Sequence, residues 1–284
     1  MAIIGVQMMM VKEQVAEQGM FEVLTRIKDL GYEAVEVSQI PMDEKNTADL
    51  ERGVKELGLL VGALSVALKG GPTATGDNLE DDYDKIVDDC HRLGATHVRI
   101  GMMPFTAMAS KQACEDWAAE CELAAQRLKA DGVQLCYHNH HVDLAKFDGE
   151  TLFDIVRRVA PTLHFEVDLH WVQRGGMNPV DMLERYTGVC DLIHLKDYRV
   201  RTLPPESLEL LADPERRGEF FNIFRNDVVQ FAEVGQGTMN WPAIIPAAEK
   251  SGAAYFFVEQ DDTYGRDPFD CLKDSKEYLA GIGY

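Results

Sequence analysis

Four short stretches of the chain gather side chains able to hold a cation or move a proton. They are Tyr137-His138-Asn139-His140-His141, Asp168-Leu169-His170, His194-Leu195-Lys196-Asp197 and Glu259-Gln260-Asp261-Asp262. Five of the eight histidines fall in the first three, where chance would scatter them along the chain. Carboxylate and imidazole donors from several segments suit an octahedral divalent ion such as Mn²⁺, Mg²⁺ or Co²⁺, with Zn²⁺ an alternative. A Glu or His beside such an ion is suited to take a proton near neutral pH. Lys196 is two residues from His194 and shares its face, so it either neutralises a developing oxyanion or pairs with Glu166 or Asp197. Glu36 suits hydrogen bonding to substrate hydroxyls or support of another group. Arg99 meets an anionic substrate group or an acidic neighbour. His170 and Trp171 are further candidates for substrate contact, the indole either stacking on a substrate or packing in the core.

Apolar runs of strand length carry these residues, and segments of helical period separate the runs. The predicted strands are Ile3–Met9, Ala34–Ser38, Leu60–Ala67, His97–Met102, Val133–His140, Leu163–His170, Asp191–Asp197 and Ala254–Gln260. Predicted helices at 21–30, 47–57, 79–93, 111–130 and 240–250 mostly stop at a glycine, as left-handed helix ends require. Several strands are apolar at nearly every position, which fits parallel strands covered on both faces. Eight such units over 284 residues predict one (β/α)₈ TIM barrel spanning 1–284, with an insertion at 198–239 after strand seven. An insertion of that length reads as a lid or an interface, with a short helix at 205–211. In a barrel of this kind the chemistry sits at the C-terminal strand ends, where all four stretches fall.

Composition narrows the partners. Lys and Arg number 28 against 48 Asp and Glu, a formal charge of −20. That balance disfavours nucleic acid and anionic membranes, both of which demand clustered basic residues. No apolar run reaches the length of a membrane span. The N-terminal run lacks a preceding basic region and a cleavage site, so it reads as a first strand rather than a signal peptide. Six scattered cysteines without a CxxC pair predict free buried thiols and a cytoplasmic protein.

The whole chain resembles the xylose isomerase-like, sugar phosphate isomerase/epimerase superfamily of metal-dependent barrels. The resemblance rests on YHNHHVDL (137–144), FEVDLHWVQRGG (165–176), IHLKDY (193–198), EVGQGTMNWPAI (233–244) and FFVEQDD (256–262). It implies one divalent metal, Mn²⁺ first, held in strand order by His138, Asp168, His194 and Glu259. Many sugar epimerases of the superfamily have Glu where His138 stands, and there the paired glutamates also shuttle the proton. With His at that place, either His138 binds metal and His140 is the base, or the reverse; His141 points away. Inosose dehydratases of the superfamily also carry a His-rich run at this strand end.

The implied activity is a sugar isomerase or epimerase working through an enediolate, with Glu259, His140, His138 and Lys196 catalytic and Glu36, Arg99, His170 and Trp171 at the substrate. The alternative is a dehydratase or lyase on a ketosugar, inosose or 3-oxo-glycoside, which begins with the same proton abstraction. A non-catalytic partner subunit is a further reading. The superfamily's DNA-repair nucleases need extra His and Glu ligands and basic loops, which this chain lacks. The expected partners are a carbohydrate or cyclitol substrate and further copies of the chain, or a second kind of subunit.

Overall fold

The computed structural model describes residues 2–71 and 76–284. Eight parallel strands close into a barrel: β1 (Ile3–Gln7), β2 (Ala34–Val37), β3 (Leu60–Val66), β4 (His97–Ile100), β5 (Gln134–His138), β6 (His164–Asp168), β7 (Cys190–Leu195) and β8 (Tyr255–Val258). Each strand pairs with its neighbour in sequence, and β8 closes on β1, with Ile3 beside Tyr255 and Val6 beside Val258. The near-continuous apolar strands follow from this closure, because one face meets the helices and the other fills the barrel. Ala34, Ala63, Cys136, Leu192 and Phe257 pack inside it, while residues such as Val35, Val98, Phe165, Ile193 and Phe256 join the larger core under the helices. All six cysteines are buried and free. No helix among the described residues is long and apolar enough to cross a membrane.

Element boundaries move where a side chain, rather than hydropathy, sets the turn. The helix expected from residue 47 begins at Glu44, because the Asp43 carboxylate accepts the amide hydrogen of Asn46. The helix expected from residue 79 begins at Tyr83. Strand six ends at Asp168 rather than His170, because Asp168 Oδ1 accepts from the Trp171 amide at 2.9 Å and starts a short helix, Leu169–Arg174. His170 therefore stands in a helical first turn. The first and fifth strands are likewise shorter than their apolar patterns, ending at Gln7 and His138.

The insertion contains a strand that the sequence reading lacked. Val229–Ala232 pairs antiparallel with Asp197–Val200, so the insertion returns to the barrel rim as a two-stranded ribbon. Asp197 anchors that return. Its Oδ1 accepts from the amides of Tyr198, Thr238 and Met239, and its Oδ2 from Gly235, Gly237 and the Trp241 indole. Gly237 passes so close that a Cβ there would lie 2.1 Å from Asp197 Oδ1.

Candidate active site at the strand ends

Residues from β5 to β8 converge at one mouth of the barrel. One oxygen or nitrogen from each of Asp168, His194 and Glu259 lies within 4.8 Å of the other two, and all three residues are buried. A second trio, His138, Glu166 and His194, meets the same spacing and shares the histidine. His138 Nε2 is 4.0 Å from Asp168 Oδ2, so the structure brings together all four expected metal-binding residues.

Lys196 enters this acidic cage. Its ammonium lies 2.7 Å from Glu259 Oε2, 3.1 Å from Asp168 Oδ2 and 3.0 Å from Asp261 Oδ2. These are not the partners the sequence suggested, since Asp197 is turned to the insertion and Glu166 faces the histidines. Glu259 Oε1 accepts from Gln7 Nε2 at 2.9 Å, and Glu259 Oε2 meets His194 Nδ1 at 2.8 Å. Burial opposes charge on Glu259, but Lys196 and His194 outweigh it and hold the pKa well below the ordinary range. Burial likewise opposes charge on Lys196, yet Asp168, Glu259 and Asp261 raise its pKa.

Glu36, Arg99 and Glu166 form a closed polar layer across the barrel. Arg99 Nη2 is 2.7 Å from Glu36 Oε1, and Arg99 Nε is 3.2 Å from Glu166 Oε2. Glu36 Oε2 in turn meets His194 Nε2 at 3.1 Å. Glu36 and Arg99, two of the four residues proposed to touch substrate, are thus engaged with each other, and both are buried. Against the push of burial, Arg99 and then His194 bring the Glu36 pKa down to about 2. Glu166 goes the other way, because burial and the adjacent Glu36 charge raise it to about 8. Burial opposes charge on His194, but Glu166, Glu259 and Glu36 outweigh it and lift its pKa well above the ordinary value.

The imidazoles nearby are neutral. Burial and then Lys196 lower His140 to about 4. Burial, with His194 and His140 beside it, holds His138 well below its ordinary value. The His138 and His140 rings lie 4.9 Å apart, although the strand itself stops at His138. His141 is exposed and rests its ring 5.0 Å from Trp171, as expected of a residue directed away from the centre. Trp171 is half-buried, 5.7 Å from His140, with the Lys196 ammonium 5.2 Å over its ring. Phe231 of the insertion stacks on His170 at 5.1 Å, so the ribbon forms one wall of the mouth.

Sequence reasoning named Asp261 within the Glu259–Asp262 run without giving it a role, and it missed Gln7 and Asp143, which nothing in the pattern singled out. Asp143 sets the backbone of the histidine run, accepting from the His140 amide and the Tyr137 hydroxyl, each at 2.6 Å. Burial raises its pKa to about 6 despite those two hydrogen bonds. The unfolded value is about 3.9, so the native state binds more protons between these limits. This group therefore favours the folded state below pH about 4 and loses that advantage as pH rises through about 6. Urea unfolding of wild type and Asp143→Asn at pH 4 and 7 should show the wild type losing roughly 2 kcal/mol relative to the variant. An equal pH response of the two proteins would contradict it.

The xylose isomerase-like TIM barrel family matches residues 24–281. An inosose dehydratase of Geobacillus kaustophilus (strain HTA426) is 26% identical over 275 residues, covering 91% of this chain and 85% of the relative. The chain's fold is similar to a sugar phosphate isomerase/epimerase from Parabacteroides distasonis ATCC 8503, with a TM-score of 0.73 at 19% identity over 99% of this chain and 94% of that one. It is also similar to an L-ribulose 3-epimerase, with a TM-score of 0.70 at 15% identity over 100% and 94%. With 258 residues matched (24 to 281 inclusive) and the barrel closed as that fold requires, the chain belongs to the xylose isomerase-like TIM barrel family.

Proposed function

We propose that the protein is a divalent-metal-dependent sugar isomerase or epimerase that removes the proton beside a substrate carbonyl. The observation that carries this is the buried convergence of Asp168, His194 and Glu259 at the strand ends, around a space that already draws in an ammonium. The donor set fits a metal, since buried Asp168 Oδ2 accepts no hydrogen bond among the described residues, is held by the Lys196 ammonium at 3.1 Å, and has His138 Nε2 4.0 Å away. A bound Mn²⁺, or Mg²⁺, Co²⁺ or Zn²⁺ in its place, supplies Lewis-acid stabilisation to the oxygens of an enediolate.

The chain's own residues do the proton work. His140 has a neutral ring suited to take the C–H proton, whose bonding electrons become the enediolate double bond as the carbonyl oxygen gains charge. The Lys196 ammonium offsets that charge. Proton return from His140 to the neighbouring carbon, as the enediol O–H proton passes to the first oxygen, isomerises; epimerisation requires delivery on the other face by Glu259, which must first take a proton from the Lys196 ammonium 2.7 Å away. Trp171 offers an indole face to the sugar. One observation favours a second reading, elimination from a ketosugar, inosose or 3-oxo-glycoside. Imidazoles stand where symmetric epimerases place a second carboxylate, and the inosose dehydratase likeness points the same way.

The test is incubation with Mn²⁺ and a panel of ketoses, inososes and 3-oxo-glycosides in D₂O. Deuterium beside the carbonyl is expected, and the product distinguishes isomerisation from elimination. His140→Gln should retain metal yet slow exchange by about 10²-fold or more. Absence of exchange with every member of the panel would sink the proposal.

A further inference from the structure

The opposite end of the barrel carries a second cluster that the proton chemistry does not use. His97 opens β4 and His164 opens β6, each two residues before a member of the Glu36–Arg99–Glu166 layer and so on the same inward face. Cys136 lies two residues before His138 and packs in the barrel interior. Asp191 joins them through an irregularity. Phe165 pairs with Cys190 and Glu166 with Leu192, which leaves Asp191 as an extra residue in β7. Such a bulge re-aims a side chain. Here Cys190 joins the outer core, Leu192 the inner one, and the Asp191 carboxylate meets the two histidines.

Donor atoms of His97, Cys136 and Asp191 all lie within 4.8 Å of one another. His97 Nε2 is 3.4 Å from Asp191 Oδ2, and His164 Nδ1 is 2.7 Å from the same oxygen. Donors on a tetrahedral zinc ion stand roughly 3.3–3.7 Å apart, given bonds of about 2.0–2.3 Å, so a contraction of roughly 1 Å or less brings the three donors to zinc spacing, with water as the fourth ligand. Supporting contacts are in place as well. Thr96 Oγ1 lies 2.9 Å from His97 Nδ1. When Nδ1–H donates to that hydroxyl, the Nε2 lone pair faces the carboxylate, an arrangement that a cation between them makes favourable. The side chains of His97, His164 and Asp191 keep 13%, 25% and 22% of their surface exposed, which opens a path from solvent, whereas Cys136 is fully buried.

We propose that His97, Cys136 and Asp191, with His164 steadying the carboxylate, form a second cation site for a zinc-class divalent ion at the N-terminal end of the barrel. Sulfur and nitrogen donors select such an ion, whereas the oxygen-rich cage at the other end suits Mn²⁺. Binding ties the starts of β4, β5 and β7 together and stabilises the closed barrel.

Cobalt(II) titration of the chelator-stripped full-length protein tests this. A thiolate-to-cobalt charge-transfer band requires a sulfur ligand, and the cage around Asp168 contains none. The band should appear in wild type, persist in Asp168→Ala, and disappear when Zn²⁺ is added. Cys136→Ser should lack it and bind Zn²⁺ at least about 100-fold more weakly, and Asp191→Asn, at the open mouth, should weaken binding by about 10–100-fold. Circular dichroism identifies a variant that has not folded; the wild-type band and Asp191→Asn then decide. Folded wild type without the band, or a band that survives in Cys136→Ser, overturns the site.

Discussion

Glu259→Gln should lose its stoichiometric divalent metal and slow substrate proton exchange by on the order of 10³-fold or more, since a bound ion stabilises transition-state charge by several kcal/mol. Glu259 is the carboxylate that Gln7, His194 and Lys196 all touch. An amide keeps its shape and removes the charge that a cation needs. The fold should survive, because Lys196 retains Asp168 and Asp261, and His194 retains Glu36 and Glu166. Metal analysis and D₂O exchange on the folded variant separate the outcomes. Retained metal and exchange would shift the ligand set to His138, Glu166 and His194, the neighbouring trio.

Arg99→Met should act on stability instead. Arg99 lies between two fully buried carboxylates, Glu36 and Glu166, and also donates to Ser38 Oγ at 3.2 Å. Truncation leaves the charged Glu36 with His194 as its remaining counter-charge and Glu166 without its guanidinium partner, and breaking one side of a buried pair costs about 3–5 kcal/mol. The urea midpoint should fall with little change in slope. A variant as stable as wild type but with a raised KM would return Arg99 to the substrate, the role its sequence position also allowed.

The barrel and the heart of the site were legible because both depend on local pattern. Apolar runs alternating with helical periods specify strands covered on both faces, and the barrel rule then locates reactive residues at strand ends. Asp168, His194 and Glu259 stood out for that reason. Lys196 was assigned correctly to the mouth but to the wrong partners, because period-two alternation states which face a residue uses and not which strand it meets across the barrel. The strand Val229–Ala232 went unseen because Gln230 interrupts its apolar run and three of its four residues are only half-buried, so no continuous apolar pattern marks it. Helix starts at Glu44 and Leu169 depended on single carboxylates capping an amide.

By itself the sequence determined the fold class, the acidic surface that disfavours polyanions, and the residue types gathered at the strand ends. Only the tertiary structure decided that Glu36 and Arg99 engage each other, that Asp261 and Gln7 support the cage, and that Asp191 turns inward. The reason is physical. Hydropathy and propensity act between residues a few positions apart, whereas these contacts depend on barrel closure and on one extra residue in β7, which set what stands opposite across the interior.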